Sequence, residues 1–357
     1  MTFLKEIIII LCATLLASCG GVSTQKRELE QVYSPKYAQG FDIATDGMEN
    51  FLRIFNPFQG RGASVSEIAL GKSVRRIVCM SSSHVAFLDR LGAANRVVGV
   101  SGLRFVTTPN IDPEKVRDVG YDSNLNYEVI ASLRPDIVLL YGITGENATI
   151  STKLDELNIP YAYLGEHTEV MPLAKSEWLV AFGYLCGLEE RAVAEFAAIA
   201  ERYEALRAMT AECKPRPSVM FNTPYRDVWY VPSDDSYMVS LVADAGGCYV
   251  CAGDSSHMSR PIDIETAYAK VSEADFWLNT NQTASLDELR AAHPRFADTR
   301  AVREAKVYNN IARTNVAGGS DFWESGVVCA DVVLRDMIEI LHPELFEHEL
   351  YYYIRLQ

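Results

Sequence analysis

The sequence lacks the features of several large functional classes. It has no cluster of basic residues: 33 lysines and arginines stand against 47 aspartates and glutamates, for a formal net charge of −14. Because nucleic-acid-binding proteins carry a basic patch or stripe, no nucleic-acid partner is expected. There is also no P-loop, no GxGxxG motif and no nucleophile elbow, since Ser83 and His84 are adjacent rather than held on separate elements. The sequence therefore does not predict an enzyme.

Histidine is scarce and scattered, with only six in the chain. Capture of bare zinc or manganese needs several histidine and carboxylate ligands, so no protein-built metal site is expected. Of the eight cysteines, Cys12 and Cys19 fall near the N-terminus and six remain. An even number permits disulfides in an oxidising compartment without showing them. The spacing of Cys248 and Cys251 is a weak metal motif, and small residues at a strand edge are the simpler interpretation.

The first residues predict export. Lys5 precedes an apolar run from Ile7 to Leu16, which is too short for a permanent transmembrane helix. The following Leu16-Ala17-Ser18-Cys19 resembles a bacterial lipobox, in which the cysteine is lipidated. We therefore expect residues 1–18 to be a lipoprotein signal peptide and Cys19 to carry lipid, which places the protein in the periplasm, anchored to a membrane. A plain secretory signal is the alternative.

The remaining pattern predicts an α/β fold of two lobes, each a mainly parallel sheet flanked by helices and joined by a long linker helix. Short apolar runs such as "RRIVCM", "RVVGV", "DIVLL" and "SVMFNT" alternate with amphipathic segments of helical length. The predicted divisions are a tether with edge strands over 19–73, an N-terminal lobe over 74–170, a linker helix over 171–213 and a C-terminal lobe over 214–357.

One motif occurs in both lobes. Glu128 opens a predicted helix that leads to Asp136 and a buried strand, and Glu265 opens another that leads to Asp275 and a buried strand. Two similar lobes place a cleft between them, and ligands of open α/β sheets bind beyond the carboxyl ends of the strands.

These segments, in this order, resemble the helical-backbone solute-binding proteins of ABC importers for ferric siderophores, haem and cobalamin. The resemblance covers the chain from Val74 onward. The residues that carry it are "RRIVCMSSSHVAFLDRLGAANRVVGV", "VGYDSNLNYEVIASLRPDIVLL", "KLDELNIPYAYL", "VWYVPSDDSYMVSLVADAGGCYV" and "HPELFEHELYYY".

The resemblance implies a partner and a role for the repeated glutamates. In that family a surface glutamate on each lobe docks onto arginines of the membrane permease, and Glu128 and Glu265 match those positions. Paired arginine and carboxylate groups give geometric specificity. A simpler role for each glutamate is to favour a helix N-terminus. The implied partners are an ABC permease dimer with its ATPase subunits.

The candidate ligand-binding residues follow predicted strands or lie in loops facing the cleft. Aromatic side chains offer flat contact area, and arginines neutralise an anionic chelate. The set is Ser83, His84, Arg104, Tyr121, Tyr141, Tyr225, Arg226, Trp229, Arg313 and Trp323. His84 departs from the family pattern: it is either a ligand contact or a histidine satisfied at a helix start.

The expected ligand is a metal chelate carried without a resident cofactor. A ferric siderophore is the first candidate, a corrinoid the second and haem the third. A sensor lipoprotein or an enzyme on the same fold remains the alternative of another class.

Overall fold

An antiparallel sheet precedes the two lobes in the computed structural model, which describes residues 28–55, 65–142, 145–226, 228–253 and 259–357. Its strands are β1 (Glu30–Tyr33), β2 (Phe41–Thr45), β3 (Asn50–Phe55) and β4 (Val65–Ala69), paired in that order. The edge strands predicted near the N-terminus thus form a separate four-stranded sheet. The lipidation residue Cys19 and the signal segment lie outside the described residues.

The N-terminal lobe is built on a five-stranded parallel sheet in the order β7–β6–β5–β8–β9. Its apolar runs are buried along their whole length, as expected of strands covered on both faces. Its elements are β5 (Ile77–Cys79), α1 (Ser82–Arg90), β6 (Val97–Val100), β7 (Arg117–Asp118), α2 (Tyr127–Leu133), β8 (Ile137–Leu140), α3 (Ala148–Glu156) and β9 (Tyr161–Tyr163).

Two helices, α4 (Pro172–Cys186) and α5 (Glu189–Thr210), occupy the predicted linker. The helical segment predicted over 171–213 is two helices, because Gly187, with a φ of 63°, ends α4 in the left-handed conformation that favours glycine. Gly183 faces Ala192, where even one additional carbon would clash, so the two helices pack closely. Nearly every residue of α4 is buried, which makes it a core element between the lobes.

The C-terminal lobe repeats the arrangement of the first. Its sheet has the order β12–β10–β14–β15–β16, with β16 antiparallel, and β11 and β13 form a separate antiparallel ribbon. Its elements are β10 (Ser218–Phe221), β11 (Val228–Val231), α6 (Tyr237–Asp244), β12 (Cys248–Tyr249), β13 (Arg260–Asp263), α7 (Ile264–Glu273), β14 (Phe276–Leu278), α8 (Leu286–Ala292), α9 (Arg300–Arg303), β15 (Val307–Asn309), α10 (Ser325–Val328), α11 (Ala330–Leu341) and β16 (Ile354–Arg355).

Four strands of each sheet share one arrangement, β6–β5–β8–β9 in the first lobe and β12–β10–β14–β15 in the second. β8 lies between β5 and β9, and β14 lies between β10 and β15. The predicted fold class, two α/β lobes with mainly parallel sheets, is confirmed. Within the part of the chain that the structure describes, each helix is too short or too polar to cross a bilayer.

Candidate functional site

The candidate site is the edge at the carboxyl ends of the parallel strands, where ligands of open α/β sheets bind. In the N-terminal lobe the loops after β5, β6, β8 and β9 reach this edge, and in the C-terminal lobe those after β10, β14 and β15 do so. The predicted ligand-binding residues separate into three groups: those buried below the cleft, those near β6 and β15, and those near β8 and β10.

Ser83 and His84 lie below the surface rather than on it. Ser81 caps α1 by accepting a hydrogen bond from the Ser83 backbone, which turns the next side chains inward. Ser83 Oγ donates to Glu166 Oε1 at 3.1 Å, and His84 Nε2 lies 3.2 Å from the same oxygen. Because His84 has no exposed surface, its interaction is internal in this conformation, and the ligand-contact interpretation is corrected.

The Glu166 carboxylate is held in its ionised form by this arrangement. Burial is the largest single effect and opposes ionisation, but the charge and hydrogen bond of His84, the charge of His167 and a backbone hydrogen bond together lower the pKa of Glu166 to about 2. A buried, negatively charged Glu166 therefore ties the loop after β9 to the start of α1.

Trp229 also requires a correction. It lies in β11, is fully buried, and donates its indole N–H to the Phe221 carbonyl at 2.8 Å. Its ring packs against Trp277 and Phe296 at centroid distances of 5.5 and 5.2 Å. The residue belongs to the core of the C-terminal lobe, because β11 pairs with β13 and turns the indole inward.

Four predicted residues lie near β6 and β15, where internal contacts engage most of them. Arg313 Nε donates to Asp321 at 2.6 Å and stacks on Tyr351, while Arg104 lies over the Phe105 ring. Tyr121 packs beside Gly102. Trp323 is 51% exposed and Tyr121 is 42% exposed, so both aromatic side chains of this group are accessible.

The residues near β8 and β10 include the most exposed aromatic side chain of the predicted set. Tyr225 is 66% exposed and carries the Arg226 guanidinium 5.3 Å above its ring. Tyr141, directly after β8, is half-buried, and burial raises the pKa of its phenol. This group offers an aromatic face, a cation and a neutral phenol to a bound molecule.

His167 was not among the predicted residues but lies beside Tyr141. The two ring centroids are 6.0 Å apart, and His167 Nε2 is 2.9 Å from the Gly142 carbonyl. A carbonyl accepts only, so Nε2 carries the proton. Burial lowers the pKa of His167, which favours the neutral imidazole. Its position just beyond β9, at the carboxyl edge, was the available sequence signal.

Glu128 and Glu265 are both exposed in the first turns of α2 and α7. The helix starts are capped by other side chains: Asn126 accepts from Val129 N at 3.0 Å, and Asp263 accepts from Thr266 N at 2.8 Å. Because the caps are filled by other residues, the two glutamates are available for contact with another molecule. Their docking role remains a prediction.

Metal-ligating side chains do not gather into a protein-built site in the described segments, where no group of three or more His, Cys, Asp or Glu side chains is placed to hold an ion. The cleft instead presents dispersed aromatic, imidazole and cationic groups. Two α/β lobes with the carboxyl ends of their parallel strands at one edge are the arrangement of a two-lobed solute-binding protein.

Comparison with known proteins gives the family. The sequence profile of the family described as periplasmic binding protein matches residues 77–311. A lipoprotein of Methanocaldococcus jannaschii is 27% identical over 286 residues, which are 76% of this chain and 66% of that protein. A Bacillus subtilis protein described as an ABC transporter substrate-binding lipoprotein is 27% identical over 135 residues, 37% of this chain and 35% of that one.

A solved structure supports the same fold. A periplasmic haem-binding protein of Pseudomonas aeruginosa superposes with a TM-score of 0.61 at 19% identity, covering 78% of this chain and 97% of that one. The chain belongs to the periplasmic binding protein family, whose members bind solutes. This membership supports the expected location outside the cytoplasm.

Proposed function

We propose that the protein captures a metal chelate, with a ferric siderophore as the first candidate, and delivers it to an ABC permease. The family match carries the transport role. The chelate is supported by the cleft, where Tyr225, Arg226 and Trp323 offer exposed aromatic and cationic surface. A ferric siderophore is large and commonly anionic, so it needs flat contact area and positive charge rather than direct metal ligands.

The proposed location is the outer side of a membrane, with a lipid anchor at Cys19. Two relatives from Methanocaldococcus jannaschii are described as lipoproteins, one of them 23% identical over 90% of this chain. Several acyl chains on one cysteine hold a protein stably at a membrane. Mass spectrometry of the N-terminal peptide from the membrane fraction tests this anchor directly.

Haem is a second candidate because Tyr141 and His167 lie together. Phenolate and imidazole are both axial ligands of haem iron. Their rings are 6.0 Å apart, and both are half-buried at the carboxyl edge. The Pseudomonas aeruginosa structure is described as haem-binding. A corrinoid remains the third chelate to test.

A thermal-shift screen of the purified protein separates these ligands. We expect a ferric siderophore to raise the unfolding temperature, since a ligand at a hundred times its Kd stabilises a protein by about 2.7 kcal/mol. Haemin, cobalamin and metal-free siderophores form the remaining arms. If no chelate stabilises the protein at saturating concentration, the proposed cargo is wrong.

Two substitutions distinguish the siderophore from haem. Tyr141→Phe and His167→Gln should abolish the Soret shift of added haemin if haem is the cargo, and should alter siderophore affinity only slightly. Tyr161→Phe is the matched control, because that phenol lies in the same lobe and its hydroxyl is directed to Asp155 at 3.4 Å.

A further inference from the structure

A buried carboxylate connects the two lobes directly. Glu324, from the C-terminal lobe, has no exposed surface. Its Oε2 accepts from Thr107 N at 2.9 Å, and its Oε1 accepts from Thr108 N at 2.7 Å and from the Thr108 hydroxyl. Both threonines lie in the N-terminal lobe, in the loop between β6 and β7. We call these contacts the interlobe clasp.

Two neighbouring contacts extend the interlobe clasp. Asn315 Nδ2 donates to the backbone carbonyls of Arg104 and Val106 at 3.0 and 3.1 Å. Gly319 lies so close to Phe105 that a Cβ at this position would be 1.8 Å from the Phe105 carbonyl oxygen. Two loops from different lobes are therefore in backbone contact, and a carboxylate accepting main-chain hydrogen bonds secures them.

The interlobe clasp occupies one end of the cleft. In the N-terminal sheet, β6 lies on one side of β5 and β8 on the other; in the C-terminal sheet, β15 lies on one side of β14 and β10 on the other. The clasp joins the loops after β6 and β15. Tyr141 follows β8 and Tyr225 lies between β10 and β11, so these two side chains belong to the opposite sides of their sheets.

We propose that Glu324 is a positioning residue that holds the lobes together at the β6 and β15 end of the cleft, so that ligand enters and leaves at the Tyr141 and Tyr225 end. The helical connection joins the lobes along α4 and α5, and α10 of the C-terminal lobe packs against α1 of the N-terminal lobe. The clasp is a further attachment, and it restricts hinge motion about these contacts. The statement about ligand entry rests on the proposed function, whereas the statement about lobe position does not.

The variants follow from the geometry. Glu324→Ala removes every clasp bond made by the carboxylate. Gly319→Ala places a methyl group against the Phe105 carbonyl and wedges the loops apart without removing a polar group. Thr108→Val removes only the hydroxyl bond. Gly165→Ala is the control, because its nearest neighbour, a ring carbon of Trp178, would lie at 3.5 Å, an ordinary contact.

The experiment measures the distance between the lobes without ligand. Spin labels are placed on cysteines introduced at Lys153 and Asp287, two exposed positions in different lobes, in a background with Cys213 and Cys248 replaced by serine. Pulsed dipolar spectroscopy should give one narrow distance distribution for the unsubstituted clasp and for Gly165→Ala. Glu324→Ala and Gly319→Ala should add a second population with the lobes further displaced.

Identical distributions in folded Glu324→Ala and Gly319→Ala proteins would overturn the proposal, whatever the cargo proves to be. If Glu324→Ala does not fold, the test rests on Gly319→Ala and Thr108→Val, where the second population should be larger for the wedge than for the lost hydroxyl. A second population that is smaller for Gly319→Ala than for Thr108→Val would also overturn the proposal. Glu324→Gln keeps one acceptor oxygen, in an amide. Its second population should therefore be intermediate between those of Glu324→Ala and the original protein.

Discussion

Asp136 and Asp275 perform the same task in the two lobes. Asp136 Oδ2 accepts from the backbone N–H groups of Arg75 and Arg76, both at 2.8 Å, just before β5. Asp275 Oδ2 accepts from the backbone N–H and the hydroxyl of Ser218, both at 2.8 Å, at the start of β10. Each aspartate directly precedes a parallel strand, β8 or β14, and binds the start of the neighbouring strand, β5 or β10.

Replacing either aspartate should destabilise its lobe. We expect Asp275→Ala to lower the free energy of unfolding by about 2 kcal/mol. The substitution leaves two hydrogen-bond donors of Ser218 without an acceptor and removes the ion pair with Arg300. Asp136 is more exposed, so Asp136→Ala should cost about 1 kcal/mol. Urea unfolding measures both. Asp287→Ala, at a side chain that is 93% exposed, is the control and should change stability little.

The sequence repeat was sufficient to predict this correspondence but not its bonds. The pattern of a glutamate-led helix, an aspartate and a buried strand predicted two similar lobes. The partners of Asp136 and Asp275 lie about sixty residues upstream, so only the folded chain identifies them. The two-lobed fold was predictable because periodicity is local, whereas side-chain partners depend on tertiary packing.

The docking glutamates should be needed for transport and not for binding. Glu128→Lys with Glu265→Lys is expected to abolish ligand uptake by the reconstituted importer, because like charges would face the permease arginines, while ligand affinity stays within about twofold. The control is Glu114→Lys with Glu273→Lys, which makes the same charge change at exposed positions of the same lobes. Normal uptake by the first double variant would show that these glutamates do not dock.

Glu177, in α4, should hold the antiparallel sheet of β1–β4 against the helical connection. Its fully buried carboxylate accepts from the Tyr33 hydroxyl and from the backbone N–H groups of Lys36, Tyr37 and Ala38, at 2.7 to 2.8 Å. Glu177→Ala leaves these donors unsatisfied and should cost about 3 kcal/mol of stability. Proteolysis should then remove the sheet first. Glu201→Ala, on the exposed side of α5, is the control, and equal protease resistance in both variants would contradict this attachment.

Lys175 should make stability rise with pH. Its buried ammonium donates to the carbonyls of Glu166 and His167, and burial lowers the pKa of Lys175 to about 8. A lysine in the unfolded chain has a pKa of about 10.4. Between the folded and unfolded pKa values the unfolded chain binds more protons, so the free energy of unfolding increases as the pH rises.

The difference in unfolding free energy between the original protein and Lys175→Met should therefore grow by up to about 3 kcal/mol from pH 8 to about pH 10.4. The control is Lys115→Met, because the pKa of that exposed lysine is raised by its hydrogen bond with Asp112 and the rise should not appear there. If the difference in unfolding free energy between the original protein and Lys175→Met stayed constant over this pH interval, the lowered pKa of Lys175 would be contradicted.

The site was less predictable than the fold for identifiable reasons. The sequence places Trp229 at the ligand site because its local pattern does not reveal the ribbon of β11 and β13, which turns the indole inward. The sequence leaves the role of His84 open, because only the folded structure shows Glu166 beside it. His167 and Glu324 were not predicted, because their partners Tyr141 and Thr108 come from distant parts of the chain.

Tryptophan fluorescence tests the central claim, that a metal chelate binds between the lobes. Three of the four tryptophans, Trp178, Trp229 and Trp277, are fully buried, and Trp323 alone among them is half-exposed near the cleft. Titration with the stabilising ferric chelate should quench emission saturably at one ligand per protein, and Trp323→Phe should lose most of that change while calorimetry still detects binding. Unchanged quenching in Trp323→Phe, or no saturable quenching by any chelate, would contradict the account.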